Sequence, residues 1–362
     1  MRHHLPLFLG YFAVMALSNA IVPVLPFYAP GSSVNGLIYA GYFLGAFFIT
    51  LPAGILTDRY GRIPFVRLGL AVSLASGLFL AVTTDPSLVI AGRIIEGIGA
   101  GLFVAAAMAA VNASPDHVRL SGWLMASQNA GLVTGLAVAG WLTAYSGFPP
   151  AGITLFALLL AVPAAASFLV QEPERGRDNP KTTPEGIISL AGEYRWLWFS
   201  TIILIGITGV VTSLYPGFSG APSDQLGMWI AGMSIATIIA VLIGSRMAPE
   251  PVGAIRIGAF LMTGGTLLLL ISPAGFLVIG AVAGVVIIAQ MAFLAGNREH
   301  QGTVMGLYSA FAYLGMAILP AAAGFVADGP GFPAAFILTA IAALFVAVTI
   351  GRCRCAPASP AI

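Results

Sequence analysis

A chain of 362 residues that is 59% hydrophobic and only 8% charged is not a soluble domain, because soluble chains carry about 25% charged residues. Its net charge of +2 offers no field to attract nucleic acid. Two cysteines, Cys353 and Cys355, exclude a disulfide framework, and four histidines lack metal-ligand spacing.

The opening Met-Arg-His-His runs straight into apolar residues over 5–28. That run is too long for a signal-peptide core and predicts an uncleaved first span. Apolar runs bounded by charges or Pro/Gly turns then predict spans over 33–57, 65–84, 86–112, 119–145 and 149–171. The longest polar stretch, 172–193, reads as a linker. Six more spans follow, over 194–215, 225–246, 252–272, 274–296, 301–327 and 331–351. Each is long enough for a hydrocarbon core of ~30 Å. The expected fold is an all-α integral membrane protein with twelve transmembrane helices in two pseudo-symmetric six-helix bundles. The N-terminal bundle takes 1–171, the linker 172–193 and the C-terminal bundle 194–362.

Charge sets the topology. Fourteen of the fifteen Lys and Arg fall in alternate loops, from Arg2, Arg59, Arg62 and Arg67 to Arg352 and Arg354. The opposite loops hold Asp85, Asp224 and Asp328 and no basic residue. The positive-inside rule places both termini and the linker in the cytoplasm, with the spans in the plasma (inner) membrane.

An internal repeat supports the two halves. Gly122, Gly131 and Gly140 recur as Gly306, Gly315 and Gly324, all offset by 184, and Pro26 matches Pro216 at an offset of 190. Duplicated halves predict a site at their interface near mid-membrane.

The first loop carries Gly54-Ile-Leu-Thr-Asp58-Arg59-Tyr-Gly61-Arg62. This resembles the loop signature of the major facilitator superfamily, Gly-x-x-x-Asp-Arg-x-Gly-Arg, although Ile63 and Pro64 stand where a third basic residue is usual. The resemblance implies a conformational clamp. Asp58 would face the positive N-terminal end of the eleventh span, near 301–303. Arg59 and Arg62 would hold nearby carboxylates such as Asp116. The second half has only Gly244-Ser-Arg246, without an acid.

Arg93 is the one basic residue inside an apolar run, and Glu96 follows three residues later. At 1.5 Å per residue they lie ~10 and ~15 Å deep. A charge at that depth costs ~2.5–3.5 kcal/mol on insertion scales and is a functional candidate. At i,i+3 the two share a helix face and can pair, either as a structural ion pair or as the proton-coupling site. The run Arg93 to Gly101 is similar to the family's Arg-x-x-Gln-Gly-x-Gly, with Glu96 in the Gln position. Gly131, Gly135 and Gly140 resemble an antiporter-associated pattern, but Leu136 replaces its Pro and Ala139 one Gly. The Pro appears instead in the eleventh span, as Pro320 before Gly324. Gly97, Gly101, Gly131, Gly135, Gly140, Gly315, Pro320 and Gly324 are expected to pack helices.

Asn19, Gln128, Asn129, Tyr215, Tyr308 and Tyr313 are polar residues of the spans. They serve either hydrogen bonds between helices or substrate contacts. No enzyme is expected: His3, His4, His117 and His300 lie outside the spans, so Ser219 in Gly217-Phe-Ser-Gly220 has no His partner.

The resemblance implies a secondary transporter working by alternating access, without cofactor or metal. The leading expectation is a monomeric proton-coupled antiporter exporting a small, largely apolar compound. Its partners are that substrate, the proton and the lipid bilayer. The alternatives are proton-coupled uptake of a small organic anion with Arg93 as counter-charge, a proton-independent facilitator, or a non-transporting receptor on the same fold.

Overall fold

The computed structural model describes residues 4–29, 31–112, 114, 116–169, 190–247, 250–294 and 301–352. The linker residues 172–189 and both cysteines lie outside the described residues. Twelve long helices run in chain order, and no strand occurs among the described residues. They are α1 (Leu5–Ala20), α2 (Ser32–Tyr60), α3 (Ile63–Val82), α4 (Pro86–Asn112), α5 (His117–Ser146) and α6 (Ala151–Ala166). The second half has α7 (Arg195–Ser219), α8 (Ser223–Met247), α9 (Pro251–Leu268), α10 (Gly275–Leu294), α11 (Gln301–Asp328) and α12 (Phe332–Thr349).

Eleven of these segments are long and apolar enough to cross a membrane. The exception is α5, whose Ser121, Ser127, Gln128 and Asn129 dilute its apolar residues. The first span is α1 extended by a 3-10 turn, Val22–Val24, and one helical turn, Leu25–Tyr28. Pro23 and Pro26 fall in that extension. A proline has no N–H to donate and clashes with the preceding turn, so the regular helix breaks there.

The loop expected between the second and third spans nearly vanishes. Helix α2 continues through Tyr60, leaving only Gly61 and Arg62 before α3. Gly61 has φ 97°, and its N–H closes on Thr57 O at 3.1 Å. That backbone conformation favours glycine, so Gly61 ends α2 where another residue would be strained.

Because the helices alternate in direction, both ends of the twelve-helix array lie on one face, called here the terminal face. In the N-terminal half α2 and α3 pack on α4, and α1 packs on α5 and α6. In the C-terminal half α7 packs on α11, and α10 on α8 and α9. The halves meet along two seams, α2 with α11 and α5 with α8.

The repeat read from the sequence is visible in the packing. A Cβ on Gly131 would run into Phe12 O of α1, and one on Gly315 into Ile202 O of α7. Phe12 and Ile202 stand at the same 190-residue offset as Pro26 and Pro216. The two seams are related in the same way. A Cβ on Gly36 would meet Pro320 O, and one on Gly227 would meet Leu136 O. Gly324 approaches Ser32 O while Gly140 approaches Ser223 O. Removing side chains at these points lets backbones pack closely, and such packing is one of the forces that hold helices together in lipid.

Candidate functional site

Helix α4 places Arg93 and Glu96 on the face that meets α2. Arg93 Nη1 donates to Glu96 Oε2 at 2.6 Å, and each residue is only 1% exposed. Arg93 Nε donates to Ile38 O at 3.4 Å, and the guanidinium lies 4.8 Å from the centre of the Tyr42 ring. Such a cation over an aromatic face adds about 0.5–2 kcal/mol.

Glycines allow this burial. A Cβ on Gly97 would collide with Tyr42 O, one on Gly45 with Ile94 O, and one on Gly101 with the Ile49 side chain. The α2 and α4 backbones are therefore close enough for α2 to cover the arginine. An ion pair taken from water survives when geometry and further hydrogen bonds offset desolvation. Here the arginine is well served and the carboxylate is not. Among the described residues Glu96 Oε1 has no hydrogen-bond donor, and neither has the Tyr28 hydroxyl a partner.

Around the pair stands a group of aromatic residues of which the sequence reading singled out only Tyr313. Tyr28, Tyr39 and Tyr42 lie close enough to Arg93 to feel its charge. Tyr39 interacts with Thr212 of α7, and Tyr42 with Ser18 of α1. Phe43 has ring-centre distances of 5.1 Å to both Tyr39 and Tyr42, and 6.3 Å to Tyr313 of α11. Tyr11 of α1 is within electrostatic reach of Tyr42 and Tyr313. Five helices from both halves thus converge on one polar centre. A signal existed: Tyr39, Tyr42 and Phe43 share a helix face by their i, i+3, i+4 spacing.

Of the other polar candidates, Tyr313 joins this group. Asn19 uses its amide on Met15 O at 2.9 Å and Ser18 Oγ at 3.2 Å, and Asn129 on Met125 O at 2.8 Å. Both are half-buried, as is Gln128. Tyr215 is placed elsewhere, in an aromatic cluster with Phe218, Trp229 and Phe276 that ties α7 to α8 and α10. Tyr308 is buried on α11 and, among the described residues, makes no ring contact with the central group.

The residues expected to form the clamp are only partly described. The side chains of Asp58, Arg59 and residues 301–303 lie outside the described residues. The end of α2 does approach α11 there, since a Cβ on Gly306 would sit 3.4 Å from the Leu51 side chain. Gly54 has open space, Arg62 is half-buried at the start of α3, and Asp116 is exposed at the start of α5.

Residues 7–308 match the family model described as Major Facilitator Superfamily. The chain belongs to this family. It is a multi-pass membrane transporter and not an enzyme. It is 25% identical over 344 residues to "Multidrug resistance protein 2" of Bacillus subtilis (strain 168), covering 85% of this chain and 84% of that protein. It is 30% identical over 176 residues to "Tetracycline resistance protein, class C" of Escherichia coli, covering 48% and 43%. Among solved structures, the nucleoside transporter NupG aligns with TM-score 0.79 and 13% identity over 98% of this chain and 100% of its own. A bacterial homologue of the human lysosomal transporter Spinster, inward-facing and occupied, aligns with TM-score 0.81 and 12% identity over 99% and 97%. At such identity these structures establish the fold alone.

Proposed function

We propose that this transporter exports a small, largely apolar compound in exchange for protons. The observation that carries the reading is the buried Arg93–Glu96 pair, covered by α2, the helix that meets α11 of the other half. One carboxylate oxygen there is held by Arg93 and the other has no donor among the described residues. A proton taken up on Oε1 cancels the carboxylate charge and turns that oxygen from an acceptor lacking a donor into a neutral hydroxyl. Arg93 then keeps its hold on Ile38 O and Tyr42. Loss of the proton restores the ion pair. The pair can therefore cycle between two states without expelling either residue from the protein.

The substrate side of the reading rests on the surroundings. The rings of Phe43, Tyr42 and Tyr313 offer apolar aromatic faces beside the pair. Relatives with resistance functions in their names support export. The charge segregation supports cytoplasmic termini; in this reading the protein acts as a monomer in the plasma membrane and the halves rock about the centre. Asp58, Arg59 and Arg62 clamp the terminal face. Uptake of an organic anion is the weaker reading, because Arg93 would have to release Glu96 before holding another carboxylate.

The test is a thermal-shift screen of apolar compounds on purified protein, followed by flux of each hit in proteoliposomes. Export driven by protons predicts accumulation that follows an imposed pH gradient. Flux that ignores the gradient makes the protein a facilitator, and binding without flux makes it a receptor.

A further inference from the structure

Helix α2 begins with a defect. Its N-cap position is Gly31, which has no side chain to accept from the first free N–H groups. Ser, Thr, Asp or Asn normally does this. The missing acceptor is supplied by the other half of the protein. Asp328, the last residue of α11, takes Ser32 N on Oδ1 at 2.6 Å and Ser33 N on Oδ2 at 2.9 Å. The Ser33 hydroxyl donates to Oδ2 as well. Asp328 lies directly against this N-cap, since a Cβ on Gly31 would be in van der Waals contact with Oδ2 at 3.4 Å. The contact lies on the face opposite the termini, at the end of the seam where Gly36 and Gly324 bring α2 and α11 together.

The pseudo-equivalent seam lacks this arrangement. Ala144 stands on α5 at the position related to Asp328 by the 184-residue offset. Helix α8 instead carries its own acid, Asp224, in its first turn. An acid on the same helix compensates that N-terminus whatever the other half does. An acid on the opposite half compensates it only while the halves are closed at that face.

We infer that Asp328 is a latch that caps α2 from across the two halves and holds the far face shut. Its stabilisation exists in one conformation of the transport cycle and is lost in the other. It therefore weights the equilibrium between them, and so the rate at which the carrier turns round. It is the counterpart, on the opposite face and in the reverse direction, of the clamp at Asp58. The inference rests on the alternating-access reading but not on Glu96, the substrate or the proton.

The test uses full-length protein in nanodiscs, with Cys353 and Cys355 replaced by Ser and spin labels at Val82 and Ile271. Val82 ends α3 and Ile271 lies just past α9, both on the far face, and they are 82% and 84% exposed. Asp328→Asn keeps the size of the side chain and removes the charge. It should raise the ratio of far-face-open to far-face-closed protein about fivefold, the scale of one partly exposed charge at a helix N-terminus. Raising salt should open the wild type in the same direction and leave Asp328→Asn unchanged, because screening acts on the charge. Ser33→Ala, which removes only the hydroxyl, should fall between the two. It also serves if Asp328→Asn folds poorly. Distance distributions that match the wild type in both variants overturn the latch. A failure of alternating access reads differently: labels at Leu169 and Ile243, on the terminal face, would show one distance under every condition in the wild type itself.

Discussion

Glu96→Gln separates the two roles that the buried pair could have. The substitution preserves shape and removes one charge, so Arg93 remains buried at 1% exposure without a counter-charge. Removing one partner of a buried pair costs about 3–5 kcal/mol. The glutamine carbonyl can still accept from Nη1, while Ile38 O and the Tyr42 ring remain in place. Those contacts hold part of the loss, so the expected destabilisation is about 2–3 kcal/mol. Arg93→Met combined with Glu96→Gln removes both charges and should recover most of that stability. Denaturant or thermal unfolding of the purified protein measures this part. Flux measures the other part. One proton exchanged for one neutral substrate supports about a tenfold concentration ratio per pH unit, since a pH unit is worth 1.36 kcal/mol. Glu96→Gln should bring that ratio to one in proteoliposomes while leaving substrate exchange intact. If Glu96→Gln still concentrates substrate at the wild-type rate, Glu96 is only the structural partner of Arg93. If it costs no stability either, the account of the pair is wrong on both counts.

Gly97→Ala should lower stability by about 1–3 kcal/mol, because its Cβ meets the Tyr42 carbonyl. Gly54→Ala, at a helical site with open space, should not lower stability, and equal costs in the two would contradict the packing argument. Asp58→Asn and Arg62→Ala should open the terminal face and slow flux without unfolding the protein. Labels at Leu169 and Ile243 report the opening, and unchanged distances with unchanged flux would remove the clamp. A reporter fused after Ile362 should be active only when it functions in the cytoplasm; activity outside the cell would invert the topology.

Helix positions and spacing were legible in the chain itself because membrane spans are local facts. A run such as 86–112 needs only enough apolar residues to cross the hydrocarbon core, and α4 occupies those limits. The Arg93–Glu96 pairing was equally local, since i,i+3 residues face one way whatever surrounds the helix. The repeat at Gly131 and Gly315 marked the points of backbone contact for the same reason: only a missing side chain permits it. What covers the pair was not local. Tyr42, Tyr39 and the Ile38 carbonyl come from α2, more than fifty residues earlier, and Tyr313 from the opposite half. Tyr215 looked like an equal candidate, yet the packing of α7 turned it into an aromatic cluster elsewhere. Asp328 read as an ordinary outer-loop charge, and its bond to Ser32 spans 296 positions. A helix records in its own 3.6-residue period which face is special. Which neighbour that face meets depends on residues distant in sequence, and only the assembled bundle decides it.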